Sequence, residues 1–416
     1  MPLLNKLPLF LLYSLFAMPV LPKPVSSILI LVFFISCLVS FFKNSSKRFS
    51  LYFFLMSVGL FAVYVISMLY TDNLEYGWRK ISTALPLLVL PLSLTLFSKE
   101  QVNYCREYLK DFLKTYVIAV GLLILLSTAQ LMNQYSLSIL FYKPIDFYHN
   151  LGVLHGMDTL YLSFHISIAF IISAYLFYIS QKLWKTLLAA FLVISLFSIL
   201  LFLAFKASLI AALLGFGILS ILTNKLRLWI LFGSGLTLMI SVIIFSHQIN
   251  ERFSQLLIVK NSIANNIDSE NVRSHIYNCN IELLPKAGFL GFGIGDGKKE
   301  LNECFVSMDS NLAKVSYNTH NQYFSIVQNV GFLGLIIFLG SLFVHSIISL
   351  NCKNYLAVTM VVFLAVWMLA ENILERQGGV MYFALFTSFL FLINFNLPSK
   401  TELVLSHEKV IGEINR

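Results

Sequence analysis

Residues 316–334 read SYNTHNQYFSIVQNVGFLG. The first part is polar and turn-prone, the rest is an apolar helix, and His320 stands at the changeover. Such a passage is what a loop looks like where it enters a bilayer. The whole chain agrees: of 416 residues 58% are hydrophobic and only 12% charged, too apolar for a water-soluble chain of this length.

Stretches of roughly 17 to 25 apolar residues, enough to cross a hydrocarbon core of about 30 Å, recur about twelve times. They centre near residues 14, 34, 60, 90, 122, 170, 193, 214, 236, 332, 363 and 388. The expected fold is an all-α polytopic membrane protein with about twelve transmembrane helices and a long, partly helical outside loop between spans nine and ten. The first stretch is kept as a span, because LPKPV (residues 21–25) is no small-residue cleavage site. Lysines and arginines gather in short cytoplasmic loops. With both termini inside, sixteen fall inside and six in the short outside loops: Lys23, Arg79, Lys80, Lys143, Lys206 and Arg376. The net charge of +9 is then a topology signal, and no nucleic-acid partner follows from it. The expected organisation is spans one to nine over 1–246, the extracytoplasmic loop over 247–320, spans ten to twelve over 321–397, and a cytoplasmic tail over 398–416.

The long polar segment is where function is expected. Asp268 or Ser269 can cap a helix, Val272, Ile276, Cys279 and Leu283 form a stripe at helical spacing, and Pro285 with Gly288 ends it. Arg273, Tyr277 and Asn280 lie on another face. A guanidinium there can grip two phosphate oxygens through its planar fork, or else face solvent or pair with Glu270. Cys279 and Cys304 are both in this loop, where a disulfide is permitted, although Cys279 could equally pack on the stripe. The glycines of GFLGFGIGDG (residues 288–297) look like a nucleotide loop, but no strand precedes them, so a flexible turn with amides near a ligand is expected. A second outside loop, residues 132–158, is rich in aromatics and suits an interfacial lid or an aromatic belt.

Thr319 and Gln322 have capping-box spacing, which predicts Thr319 as N-cap and His320 in the first turn of span ten. The positive helix end would keep that imidazole neutral and would attract phosphate. Phe324, Val327, Gly331 and Gly334 share a face whose glycines allow a neighbouring helix to approach. His320 is therefore either an interfacial anchor or a base at the mouth of a cleft.

The arginine of NVRSHIY (residues 271–277), the P-x-x-G-x-x-G-x-G-x-G-D run from Pro285, and THNQYF (319–324) followed by GFLG (331–334) together resemble the O-antigen ligase and polymerase superfamily. The resemblance implies a membrane glycosyltransferase of the GT-C type. It would transfer a glycan from undecaprenyl diphosphate to an acceptor hydroxyl, such as one on lipid A core, at the periplasmic face and without a metal. It implies His320 as base and Arg273 as one diphosphate ligand. Where the family has a second arginine, LAFKASLIA (residues 203–211) offers Lys206, which would keep the charge and lose the fork, or else be a lysine snorkelling from a span end.

Other outside groups are candidate substrate contacts: Arg79, Lys80, Asp158, Tyr277, Asn321 and Arg376. Glu371 and Arg376 could instead pair with each other and fix the last hairpin. His155, Asp158 and His165 are the nearest imitation of a metal cluster, but the chain holds no D-x-D and no H-E-x-x-H, so no cofactor is expected. Two other readings stand beside the ligase. A polymerase would use the same donor, and a transporter would place ionisable groups at mid-membrane on broken helices in two related halves, neither of which is visible.

Overall fold

The computed structural model describes residues 3–43, 50–133, 159–245, 269–308 and 310–394, and among them every regular element is helical. In chain order these are α1 (Leu3–Phe16), α2 (Lys23–Lys43), α3 (Leu51–Ser67), α4 (Leu74–Ala84), α5 (Pro86–Thr95), α6 (Lys99–Glu107) and α7 (Leu109–Met132). Then come α8 (Thr159–Ile179), α9 (Leu183–Leu203), α10 (Lys206–Thr223) and α11 (Leu226–Phe245). The long loop contributes α12 (Ser269–Ala287), α13 (Gly297–Met308) and α14 (Ser310–Val315), and the chain continues with α15 (Gln322–Asn351), α16 (Tyr355–Trp367) and α17 (Gln377–Leu392).

Seven of the described helices, α2, α7 to α11 and α15, are long and apolar enough to cross a membrane, and a pair bent by 105° between α4–α5 and α6 makes eight if it is one span. That is fewer than the expected twelve. The reason is length: α1, α3, α16 and α17 have 14, 17, 13 and 16 residues. At about 1.5 Å per residue these fall short of a core of about 30 Å.

Helix α8 is central, with 78% of its apolar window buried, whereas α11 at the periphery has 11%. A central membrane helix can carry polar residues only if they are matched. Ser163 and Ser208 hydroxyls lie 2.7 Å apart, Trp367 Nε1 donates to Ser208 Oγ at 3.1 Å, and the Tyr116 hydroxyl lies 2.9 Å from His165 Nδ1. These bonds join α7, α8, α10 and α16. His165 is thus a hydrogen-bonded intrahelical residue.

The described part of the long loop builds its own small core. Ile276, Cys279 and Leu283 of α12 meet Leu301, Cys304 and Phe305 of α13, and Val272 packs against them. Cys279 and Cys304 are disulfide-bonded at a Cα separation of 5.8 Å. Pro285 sits inside the last turn of α12, which ends just before Gly288 at φ +58°.

The glycine run does something the sequence reading did not foresee. Helix α15 is interrupted at Val330 (φ −138°, ψ 16°) and Gly331 (φ 68°, ψ −173°). In an unbroken helix the carbonyls of Gln328 and Asn329 would accept from the amides of Phe332 and Leu333. Here Phe292 N and Gly293 N donate to those carbonyls at 2.8 and 3.1 Å, while Phe332 N and Leu333 N donate to the carbonyls of Gly288 and Phe289 at 3.2 and 3.1 Å. The turn is spliced into the helix, and each lost bond is replaced. Gly331 marks that break rather than a close helix contact. Two further turn amides are taken by side chains: Ile294 N donates to Ser67 Oγ and Gly295 N to Thr71 Oγ1. The Asp296 carboxylate accepts from the amides of Asp72 and Asn73 at 2.8 and 3.0 Å. A flexible turn offering amides to a ligand is therefore replaced by a packed one.

Candidate functional site

Three segments converge at one end of the bundle: the polar face of α12, the approach to α15 at residues 316–321, and the connection between α16 and α17. On α12, Asn280 is buried and donates through Nδ2 to the Thr319 carbonyl at 3.0 Å, while Gln328 Nε2 donates to Asn280 Oδ1 at 2.8 Å. One turn towards the N-terminus, the Tyr277 hydroxyl lies 3.5 Å from the His320 carbonyl and 3.3 Å from that of Leu369. Arg273 is one turn further. The i, i+4, i+7 spacing of these three residues thus lays one face of α12 against the histidine segment.

The N-cap of α15 is Asn321, whose Oδ1 accepts from Tyr323 N at 2.9 Å and Phe324 N at 3.2 Å. Its Nδ2 donates to the Leu369 carbonyl at 3.1 Å. This corrects the expected capping box. Gln322 turns away from Thr319 and accepts the Leu374 amide at 2.8 Å, and the Thr319 hydroxyl donates to the Asn321 carbonyl at 2.8 Å. His320 therefore stands before the helix, in left-handed backbone at φ +47°. A non-glycine residue there carries strain, which neighbouring contacts must hold in place.

Glu371 is the centre of the arrangement. Its Oε2 lies 3.5 Å from His320 Nδ1 and its Oε1 lies 3.7 Å from an Arg273 guanidinium nitrogen. These are ion-pair distances, longer than a well-formed hydrogen bond. The carboxylate is enclosed, with a 12% exposed side chain, while the Arg273 side chain remains 60% exposed and open to a ligand. Arg273 thus answers to Glu371. Beside them lies a cleft of about 220 Å³, whose walls include His320, Glu371, Asn372 and Arg376, with Tyr161 and Phe205 among the others. Lys206 follows Phe205 directly and heads α10. Glu371, expected as a possible partner of Arg376, reaches the histidine and the α12 arginine.

The remaining candidates separate from this cleft. Arg79 is exposed and pairs with Glu75 at 3.4 Å. Lys80 is enclosed and pairs with Glu375 at 2.9 Å, where the Ser325 hydroxyl also donates to the carboxylate. Burial alone would raise the Glu375 carboxyl, but Lys80, the Ser325 hydroxyl and Lys298 together outweigh that and hold it below the usual range. Lys298 Nζ donates to the carbonyls of Ser316, at 2.8 Å, and Tyr317. Its ammonium is pushed down to about 8 by burial, with Glu375 opposing and Lys80 assisting. Asp158 and His155 lie outside the described residues. Among the described residues no group of three or more His, Cys, Asp or Glu could hold a metal ion. Glu375, Asn372 and Lys298 were missed by sequence reasoning; the one available signal was a pair of carboxylates, Glu371 and Glu375, in the short connection between α16 and α17.

The fold and cleft define an all-helical, membrane-type protein that collects cations, an imidazole and a carboxylate at one end of its bundle. A family model described as O-antigen ligase matches residues 190–339, a region that holds Lys206, Arg273, both loop cysteines and His320. That match supports the O-antigen ligase superfamily as the family of this chain, and its members are glycosyltransferase-like ligases and polymerases. No curated protein matches the chain. Glu371, Asn372 and Arg376 lie beyond the matched region, so their part in the cleft rests on the structure.

Proposed function

We propose that the protein is an O-antigen ligase of the bacterial inner membrane, moving a glycan from undecaprenyl diphosphate to a hydroxyl of lipid A core at the periplasmic face. The observation that carries this reading is the single carboxylate, Glu371, lying between His320 and Arg273 at the edge of the cleft. With Nδ1 turned towards Glu371, His320 has Nε2 left to take a proton. The acceptor oxygen bonds to the anomeric carbon, the bond from that carbon to the phosphate oxygen breaks with its electron pair, and the hydroxyl proton passes to His320. Lipid diphosphate is a good leaving group, so the chain's task is to hold the reactants in line and neutralise growing negative charge. Arg273 and Lys206 supply that charge, and Arg376 adds to it. Glu371 then faces the imidazolium it helped to orient. No step calls for a metal.

The test is purified protein given undecaprenyl-diphosphate-linked glycan with either core lipid or a second lipid-linked unit. Glycan on core lipid supports the ligase, a lengthened lipid-linked chain makes the protein a polymerase with the same donor chemistry, and no product with either overturns the reading. In the productive assay His320→Ala should lower turnover by about 10² to 10⁴-fold, the usual worth of a positioned base.

A further inference from the structure

Asn372 is buried, at 4% exposure, and lines the cleft beside His320. Which way its amide points follows from the hydrogen-bond network. Thr319 has one hydroxyl proton, and it is donated to the Asn321 carbonyl at 2.8 Å. The Thr319 oxygen can then only accept, and it does so from Asn372 Nδ2 at 2.6 Å and from Asn321 N at 3.4 Å. The amide nitrogen of Asn372 is therefore committed to Thr319. Its Oδ1 is left as a buried acceptor with no hydrogen-bond partner among the described residues. A buried amide oxygen without a donor is costly, and native chains keep few of them.

The chemistry of the ligand follows. A carbonyl oxygen takes only a donor, so a phosphate or carboxylate oxygen cannot satisfy it. A sugar hydroxyl or an acylamino N–H can. Glu371, the next residue, is also an acceptor, whereas the cations of the site, Arg273 and Arg376, are donors. The hydroxyl that attacks has a single proton, and His320 takes it. Asn372 must therefore meet a second donor on the same sugar.

Resting on the ligase reading, we propose that Asn372 Oδ1 binds the acceptor sugar through an O–H or N–H donor neighbouring the reacting hydroxyl, and so selects the acceptor. A site built to pair such a group discriminates strongly against an analogue that lacks it, because its own buried polar atom is then left unmade. The acceptor, and not the lipid-linked donor, should feel the change.

The experiment measures turnover of undecaprenyl-diphosphate-linked glycan with core lipid, or with the second lipid-linked unit if that proves to be the acceptor, varying one substrate at saturation of the other. Asn372→Leu should lower kcat/KM for the acceptor by about 10- to 100-fold and leave the donor KM within about twofold. Deoxy acceptors, in which one hydroxyl or one acylamino group at a time is replaced by hydrogen, form the second arm. One deoxy position adjacent to the reacting hydroxyl should cost the wild type a similar factor and cost Asn372→Leu little more. Unchanged acceptor kcat/KM in a folded Asn372→Leu protein overturns the assignment. If that variant does not fold, the wild type alone decides, since no deoxy acceptor losing more than about twofold overturns it too. His320→Ala separates the two proposals. If it stays active, the catalytic reading fails; if it is dead while Asn372→Leu is normal, only this inference does.

Discussion

One carboxylate between an imidazole and a guanidinium makes the three side chains a unit, so removing the carboxylate should act through the other two. Glu371→Gln keeps the shape and loses the charge that draws Nδ1 and the Arg273 fork. Since misplacement by about 1 Å can cost roughly 10²-fold, turnover should fall by about that factor in steady-state assays of the purified variant. A change within twofold would detach Glu371 from the site. Arg273→Lys should be impaired although charge is kept, whereas Lys206→Arg should be tolerated or improved, as donor titrations would show. Lys298 gives a prediction in pH. Its folded-state value is lowered to about 8, so between that pH and the ordinary lysine range the unfolded chain binds the extra proton. Its contribution to stability therefore rises with pH across that window and is absent below it. Thermal unfolding of wild type and Lys298→Met from pH 7 to 10 should show the wild type gaining relative to the variant. His320 and Arg273 were legible in the sequence because each belongs to a local pattern. Asn372 was not, and Glu371 was legible only as a possible partner of Arg376, because both meet His320 through a connection about 50 residues away in the chain.

At the scale of elements, the spliced turn makes two glycines indispensable. A Cβ on Gly291 would lie 2.5 Å from the amide nitrogens of Val330 and Gly331, and one on Gly331 would run into the Phe289 carbonyl. Both have φ in the left-handed region, at +78° and +68°. Gly291→Ala and Gly331→Ala should abolish the monodisperse protein on gel filtration. Gly340 lies in the same helix with nothing within 4 Å of its would-be Cβ. Gly340→Ala should fold and gain about 0.5 to 1 kcal/mol, the usual helical preference for alanine. The Cys279–Cys304 bridge closes a separation of 25 residues around this turn. In the chain-entropy model such closure contributes roughly 3 kcal/mol, so the double serine variant should expose α12 and α13 to protease while the spans stay intact. The apolar stripe of α12 could be read from spacing alone, since helical period is a local property. The splice could not, because it pairs residues 288–293 with residues 328–333, and backbone bonds leave no mark on residue type beyond the glycines themselves.

Across the whole molecule, polar contacts sort the helix ends into two groups. Asn5 with Ser40 and Gln101, Arg106 with Ile393, Arg227 with Ser180, and Asn354 with Asn394 join one set. Thr71 with Gly295, Lys80 with Glu375, Tyr277 with Leu369, and Ser27 with Gln377 join the other. The helix ends of the first set lie beside lysines and arginines of the loops expected inside, among them Lys6, Lys99, Lys182, Lys225 and Lys353. Short helices can still cross where the bilayer thins or where neighbouring elements enclose their ends, at a modest cost per ångström of mismatch. The expected outcome is therefore opposite labelling of two exposed positions. In intact cells Glu75→Cys, on α4 beside Lys80, should react with a membrane-impermeant maleimide after the outer membrane is opened. Lys225→Cys, between α10 and α11, should react only once the inner membrane is broken. Labelling of both from the same side would overturn the expected topology, and with it the proposal that His320 and Arg273 meet a lipid-linked glycan on the periplasmic face.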